Sequence, residues 1–152
     1  MSTPHRVGAV VYDPFTDKIL LQRRKNKWAC FGVNLDKERN EKPPDALRRA
    51  LEMRLSLSVI DLQIMGFGAF GTAKGQLSAQ YAILYHEDSN PKLLDDAERQ
   101  WFTLDEIANL DDAAIEIHTK ASIEAFEKRV TLKDRIRYRN LLRKHGLAGK
   151  EA

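Results

Sequence analysis

The sequence predicts an α+β domain built around a mixed, largely antiparallel sheet. Three observations lead to this fold class: strand-like segments cluster, a single helix pattern interrupts them, and the other helix patterns come at the end. Regular alternation of strands and helices would instead indicate a parallel α/β fold. With 152 residues and 43% apolar residues, the chain is large enough to bury one core without disulfides.

The chain opens with a predicted β-hairpin. Strand-like runs cover residues 5–12 and 18–23, and the residues between them, such as Pro14, favour a turn. A basic loop follows, and the apolar run 28–33 is predicted to be a third strand. Three strands therefore precede the first helix.

The first predicted helix covers residues 44–56. Pro44 is tolerated in a first turn, and Asp45 is favourable there because its carboxylate lies near the positive end of the helix dipole. Apolar residues then recur at spacings of three and four, which is typical of a helix with one buried face: Ala46, Leu47, Ala50, Leu51 and Leu55.

Two longer strands are predicted next, over residues 59–70 and 76–86. Glycines in the first strand permit a bulge, and the glycine-bearing turn between the strands favours antiparallel pairing. A polar loop then leads to a short predicted strand over residues 99–102.

Helices are predicted for the rest of the chain. Thr103 and Glu106 have the spacing of a capping box, which predicts a short helix ending near residue 110. A second helix is predicted over residues 112–129. Thr131 resembles a further cap, and it begins a basic helix that ends near Gly146.

Charge is divided unevenly along the chain. Residues 1–127 carry a formal net charge of −4, whereas residues 128–152 carry +7. We therefore divide the chain into a domain at 1–130 and a basic helical extension at 131–152. The extension has two interpretations: a docked helix with its charges in water, or a contact surface for RNA or an acidic protein.

Cysteine content and hydropathy exclude several classes of protein. Cys30 is the only cysteine, so the chain has no internal disulfide and no cysteine cluster for zinc, and we expect Cys30 to be a small core residue. No apolar stretch is long enough to cross a membrane, and residues 1–6 do not resemble a secretion signal. We expect a cytoplasmic protein with no membrane partner.

Residues 46–57 resemble the second half of the Nudix signature, G-x5-E-x7-R-E-U-x-E-E-x-G-U, in which U is a bulky aliphatic residue. The matching residues are Arg49 at the arginine, Leu51 and Leu57 at aliphatic places, and Ser56 at the glycine. The opening hairpin and residues 98–107 are also similar to segments of the Nudix hydrolase superfamily. The resemblance covers residues 5–127 and implies a Nudix-like α/β/α sandwich.

The signature helix departs from the family at the places that bind metal. In catalytic members, glutamates of this helix bind magnesium beside the substrate diphosphate. The corresponding residues here are Ala50, Met53 and Arg54, none of which binds magnesium. The resemblance therefore implies no bound cofactor. Arg54 is expected either to contact a phosphate directly or to form an ion pair.

Four glutamates are candidate catalytic residues if the chain is an active hydrolase that uses Mg²⁺. Glu38 keeps the signature spacing from the preceding glycine, and Glu41 keeps the spacing to Arg49. Glu52 is one place before the expected pair, about 100° around the helix. Glu98 precedes a late strand, a region from which some members contribute an acidic residue. The alternative is that these carboxylates face solvent and pair with nearby cations.

Five residues are candidates for ligand binding: Arg49, Arg54, Trp28, Tyr81 and Trp101. The aromatic side chains are of the kind that stacks on a nucleobase at the edge of a sheet, and packing in the core is the alternative.

Three functions follow from these patterns. The first is a Nudix-fold module that lacks efficient metal-dependent diphosphatase activity and binds a nucleotide-like small molecule, RNA or a protein. The second is a Nudix hydrolase that cleaves nucleoside diphosphate-linked substrates through a rearranged magnesium site. The third is a structural subunit that acts through its surface and its basic tail.

Overall fold

The fold is a mixed sheet between two layers of helices. The computed structural model describes residues 6–36, 38, 40–55, 57–71, 77–86 and 98–147. The strands are β1 (Arg6–Asp13), β2 (Lys18–Arg24), β3 (Lys27–Ala29), β4 (Phe31–Asn34), β5 (Ile64–Gly71), β6 (Leu77–Leu84) and β7 (Arg99–Thr103). The helices are α1 (Pro43–Leu55), α2 (Leu104–Ala108), α3 (Ile117–Arg129) and α4 (Leu132–Lys144), with a 3-10 turn at Asp61–Gln63.

Strand β1 lies inside the sheet because apolar side chains cover both of its faces, Val7 and Val11 in one core and Val10 and Tyr12 in the other. One edge of β1 pairs in parallel with β6. The other edge is shared, since β4 pairs with the first half of β1 and β2 pairs with the second half. The sheet therefore forks between β2 and β4.

The remaining strands extend the sheet on both sides. β7 and β3 pair with β2, and β5 pairs with β6, all antiparallel. Because β1 and β6 form the parallel pair, the sheet is mixed and largely antiparallel, as the sequence predicted. The predicted hairpin of β1 and β2 and the predicted antiparallel pair of β5 and β6 are confirmed.

Helices cover the two faces of the sheet separately. Leu47, Leu51 and Leu55 of α1 pack with the odd-numbered valines of β1. Phe126 of α3 and Leu142 of α4 pack on the opposite face. This arrangement is the expected α/β/α sandwich. No helix in the described ranges has the length and hydropathy needed to span a membrane.

The basic helix α4 packs against the domain. Tyr138 and Leu142 are buried in the same core as Phe126. Arg135 donates to the carboxylate of Asp17 at 3.2 Å, and Arg139 donates to the carbonyl oxygen of Pro14. These contacts tie α4 to the turn between β1 and β2.

The predicted capping box at Thr103 and the predicted helix cap at Thr131 are both confirmed. The hydroxyl oxygen of Thr103 accepts from the amide of Glu106 at 3.1 Å, and the carboxylate of Glu106 accepts from the amide of Thr103 at 2.9 Å. The hydroxyl of Thr131 and the carboxylate of Asp134 make the equivalent contacts at the start of α4. These reciprocal bonds satisfy amides that have no partner within the helix.

The single strand predicted over residues 28–33 is wrong. Two short strands, β3 and β4, replace it, because the amide of Cys30 donates to the hydroxyl of Thr119 at 2.8 Å instead of to a neighbouring strand. The break at Cys30 lets β3 pair with β2 while β4 pairs with β1.

Two other predicted boundaries are wrong for a similar reason. The strand predicted from residue 59 begins at Ile64, because the buried side chain of Gln63 bonds to the amide of Ile60 and the carbonyl of Leu84. The helix predicted from residue 112 begins at Ile117, because the preceding backbone exchanges hydrogen bonds with Trp28.

We expect Leu142→Ala to lower the free energy of unfolding by about 2 to 5 kcal/mol, since it leaves a cavity in a fully buried site. Ile136→Ala on the same helix is the control, because the Ile136 side chain is 49% exposed. It should change the free energy by less than about 1 kcal/mol. Urea unfolding measures both, and equal effects would show that α4 is not part of the core.

Candidate functional site

The end of α1 is held against the fork of the sheet. The buried stripe Ala46, Leu47, Leu51 and Leu55 faces the sheet and leaves Arg54 at the rim of the helix. The guanidinium of Arg54 donates to the carbonyl oxygen of Gly32 in β4 at 2.8 Å. Arg99 of β7 donates to the carbonyl oxygen of Arg54 at 3.5 Å. A cation also suits this end of a helix, where the dipole is negative.

A cleft of about 230 Å³ lies at this junction. Among the described residues, its charged lining consists of Arg23, Arg54, Arg99 and Glu98, and Gln22, Phe31 and Leu55 also line it. The described residues therefore bring three arginines and one carboxylate to the cleft, and this excess of positive charge favours anions. Guanidinium groups are suited to phosphate because their planar donors match two oxygens at once.

A second cavity, of about 300 Å³, shares the side chain of Phe31 with the cleft. Its ionisable lining residues are Arg6, Arg24, Glu116, His118 and Cys30. Burial, and then the charge of Arg24, lower the pKa of Arg6; the charge of Glu116 opposes this shift, and Arg54 adds a smaller lowering. The charges of Arg24 and Arg54 therefore both act on Arg6, which lines the cavity.

The inner wall of this cavity is a closed polar network. Ser122 donates to the side-chain oxygen of Gln80 at 2.9 Å, and the Gln80 amide donates to Ser78 at 3.0 Å. Gly8 lies beneath it, and a Cβ atom there would come within 2.7 Å of the Gln80 side-chain oxygen. Any larger residue at position 8 would therefore displace the Gln80 side chain from this network.

Cys30 lines the cavity without reactive character. Burial raises the pKa of its thiol to about 12, and the hydrogen bond with Thr119 opposes this shift only in part. The thiolate is the nucleophilic form, so the structure does not favour covalent chemistry at Cys30.

The candidate glutamates lie in different environments. Glu98 lines the cleft together with Arg54. Glu41 accepts two hydrogen bonds from Arg49, at 2.8 and 2.9 Å, so these two candidates pair with each other. Glu38 and Glu52 are exposed.

The candidate aromatic residues do not line either cavity. Trp28 packs edge-on against Phe102, with the guanidinium of Arg23 5.0 Å from its ring centre. Trp101 is buried in the core under α1, and Tyr81 packs against that core.

Most of the arginines at the site were not singled out from the sequence. Arg6, the adjacent pair Arg23 and Arg24, and Arg99 belong to three different strands, so no local spacing relates these three places. The adjacent arginines at the end of β2 are a visible signal in the sequence, but they continue into a basic segment that predicts a loop.

The side chains that line the cleft do not suit magnesium. Mg²⁺ binds oxygen ligands in octahedral geometry, usually through carboxylates. Glu98 is the single carboxylate among the described residues that line the cleft, and three arginines lie beside it. Across the described ranges, no three His, Cys, Asp or Glu side chains are grouped to hold a metal ion.

We expect Glu41→Gln to lower the free energy of unfolding by about 1 kcal/mol, because it breaks a two-point ion pair between α1 and the preceding loop. The matched control is Glu38→Gln in the same loop, which should change it by less than about 0.5 kcal/mol. Chemical denaturation measures both. A larger loss for Glu38→Gln would contradict this assignment.

We expect Cys30 in the native protein to react with Ellman's reagent about a thousandfold more slowly at pH 8 than a free cysteine. Its thiolate fraction at that pH is on the order of 1 in 10,000 because the pKa is raised to about 12. The same protein in urea is the control and should react at the ordinary rate. Complete reaction of the native thiol within minutes would argue for an activated cysteine.

Comparisons with known proteins support the fold through structure and not through sequence. No family model matches the sequence, and no curated protein does. A mutT/nudix family protein from Listeria innocua superposes with a TM-score of 0.61 and 22% identity, over 93% of this chain and 99% of that chain.

Two further solved structures superpose on this chain. NrtR from Shewanella oneidensis superposes with a TM-score of 0.65 and 21% identity over 84% of this chain, which spans only 63% of NrtR. The C-terminal domain of mouse MUTYH, solved in complex with human PCNA, has a TM-score of 0.60 and 16% identity, with 81% of this chain and 86% of that chain covered. The chain therefore has the Nudix fold.

Proposed function

We propose that this chain is a Nudix-fold binding module that holds a nucleotide-like ligand by its phosphate groups without a metal ion. In this proposal the chain lacks efficient metal-dependent diphosphatase activity. The proposal rests on the cleft at the end of α1, where the charged lining among the described residues is Arg23, Arg54, Arg99 and Glu98.

The charge of the cleft supports phosphate as the bound group. A diphosphate carries more than one negative charge at neutral pH and needs several donors to replace its water. Arg54 uses one N–H on Gly32 and keeps other donors for a ligand. Because arginine stays protonated at all physiological pH values, this site needs neither a metal ion nor a proton from solution.

The second cavity supports a ligand larger than a free phosphate. Its volume of about 300 Å³ suits a small organic group, and it adjoins the cleft through Phe31. Its polar lining offers both acceptors and donors, among them Glu116, His118 and Arg6. A nucleoside in this cavity would leave its phosphates near the arginines.

The degenerate signature supports the loss of metal chemistry. Glu41 and Arg49 form an ion pair across the loop and the helix. This pairing favours Glu41 as the counterpart of the first signature glutamate and gives it a structural use. The helix places occupied by glutamate in catalytic members hold Ala50, Met53 and Arg54, and Arg54 brings a positive charge to the cleft.

The structural neighbours include proteins solved in complexes with macromolecules. NrtR from Shewanella oneidensis was crystallised with a 27mer DNA, and the MUTYH domain with PCNA. The Nudix fold therefore also occurs in proteins that bind DNA or a protein partner, which is consistent with a binding role for this chain.

Calorimetric titration with ADP in EDTA tests the proposal. We expect saturable binding that Mg²⁺ does not strengthen, and we expect Arg54→Gln to weaken it at least tenfold, or about 1.4 kcal/mol. Arg48→Gln is the matched control, because it removes the same charge from α1 at a residue that pairs with Asp45 outside the cleft. Binding that requires Mg²⁺, or equal losses in both variants, would contradict the proposal.

The hydrolase alternative predicts a different result. It is supported by Glu98, a candidate catalytic carboxylate that lines the cleft together with Arg54. An active enzyme would release product from ADP-ribose with Mg²⁺, and Glu98→Gln or Glu52→Gln would abolish turnover. We expect no saturable turnover in the unmodified protein, and turnover lost in either variant would overturn our assignment.

A further inference from the structure

Helix α4 has an inner face that is fully used by the fold. Tyr138 and Leu142 are buried, and Arg135 and Arg139 bond to the turn between β1 and β2. The cations on this face therefore serve to dock the helix, and they are not free to bind a partner.

The outer face of α4 combines apolar and basic side chains. Leu132 and Ile136 lie one helical turn apart and are 68% and 49% exposed. Lys133 and Arg137 form a second exposed row beside them, and Lys144 continues the exposed basic surface at the end of the helix. We call these five residues the α4 outer face.

The requirements of the fold do not explain this composition. Lys133 is the second residue of the helix, where the positive end of the dipole disfavours a cation. Within the described ranges, neither Lys133 nor Lys144 forms an ion pair, while Arg137 pairs with Asp134 at 3.3 Å. Two large aliphatic side chains in water add no packing energy, so the face is better suited to contact with another molecule.

We propose that the α4 outer face binds an acidic amphipathic segment of a partner protein. Leu132 and Ile136 would pack against apolar side chains of the partner. Carboxylates of the partner would pair with Lys133, Arg137 and Lys144. This arrangement corresponds to recognition of a helix by apolar anchors at intervals of one turn, with charges fixing the orientation. The inference rests on α4 alone and is independent of the proposed ligand of the cleft.

A protein fits this surface better than a nucleic acid. A phosphate backbone engages arginine and lysine but offers nothing to cover Leu132 and Ile136. Two of the arginines that a nucleic-acid surface would use, Arg135 and Arg139, bond inward instead. The helix has 13 residues and is about 20 Å long, so the contact is small and the affinity should be micromolar and dependent on salt.

Fluorescence anisotropy on the full chain tests this proposal with three probes. They are a labelled helical peptide with leucines on one face and glutamates on the other, a scrambled peptide of the same composition, and poly(U) RNA. We expect the amphipathic peptide to bind with a Kd of about 10 to 100 μM at low salt and the scrambled peptide to bind at least tenfold more weakly.

Variants of the α4 outer face separate its two components. We expect the double variant L132S and I136S to weaken peptide binding at least tenfold, and K133Q with R137Q to weaken it and reduce its salt dependence. The matched controls are Ile117→Ser, at a residue that is 76% exposed on α3, and Arg54→Gln in the cleft. Both should leave the affinity for the peptide unchanged.

Several outcomes would overturn the proposal. Equal binding of the scrambled peptide would show that the amphipathic pattern is not recognised. Binding unaffected by the double serine variant would show that Leu132 and Ile136 do not contribute. Tighter binding of poly(U), insensitive to Leu132 and Ile136, would assign the face to nucleic acid. Circular dichroism confirms that each variant is folded, and the exposure of these side chains makes loss of the fold unexpected.

Discussion

The sharing of one edge of β1 between two strands is the constraint on which the rest of the structure depends. If β2 continued along β1, Gln22 would lie opposite Ala9, but Ala9 pairs with Phe31 of β4. On the edge of β2 that faces β1, β3 therefore takes the place of β1 from Gln22 onward, while β7 pairs along the other edge of β2. The fork that results lies beside the end of α1, and Gln22 and Phe31 line the cleft there.

The fork also determines which charges meet. Arg23 comes from β2, Arg54 from α1 and Arg99 from β7, so three elements bring arginines to one cleft. The leucine stripe of α1 packs on the sheet and is separate from the exposed residues of the helix. Substitutions at the exposed positions can therefore change the charge of the cleft without changing the core.

Local signals in the sequence were sufficient for most of the fold. The helix caps at Thr103 and Thr131, the hairpin and the apolar stripe of α1 depend on residues a few positions apart, and each was predicted correctly. The errors at Cys30 and at the start of α3 arise from bonds that join β3 and its neighbourhood to residues 114–119. Such contacts leave no periodic trace in the sequence.

The difference between local signals and contacts distant in sequence also applies to the candidate site. Arg54 was identified because it occupies a place in a resembled helix motif, whereas Arg23 and Arg99 reach the cleft through strand pairing that the sequence does not display. The aromatic candidates were chosen by residue type, and residue type alone does not separate a stacking surface from core packing: Trp101 is buried.

In the proposed function, arginines and not a metal ion hold the phosphate groups of the ligand. Nuclear magnetic resonance of the arginine side-chain N–H groups, recorded during titration with pyrophosphate in EDTA, tests it most directly. We expect shifts of the Arg54 and Arg99 signals that saturate without metal, while the Arg48 signal stays unchanged. Shifts that arise only after Mg²⁺ is added would contradict it.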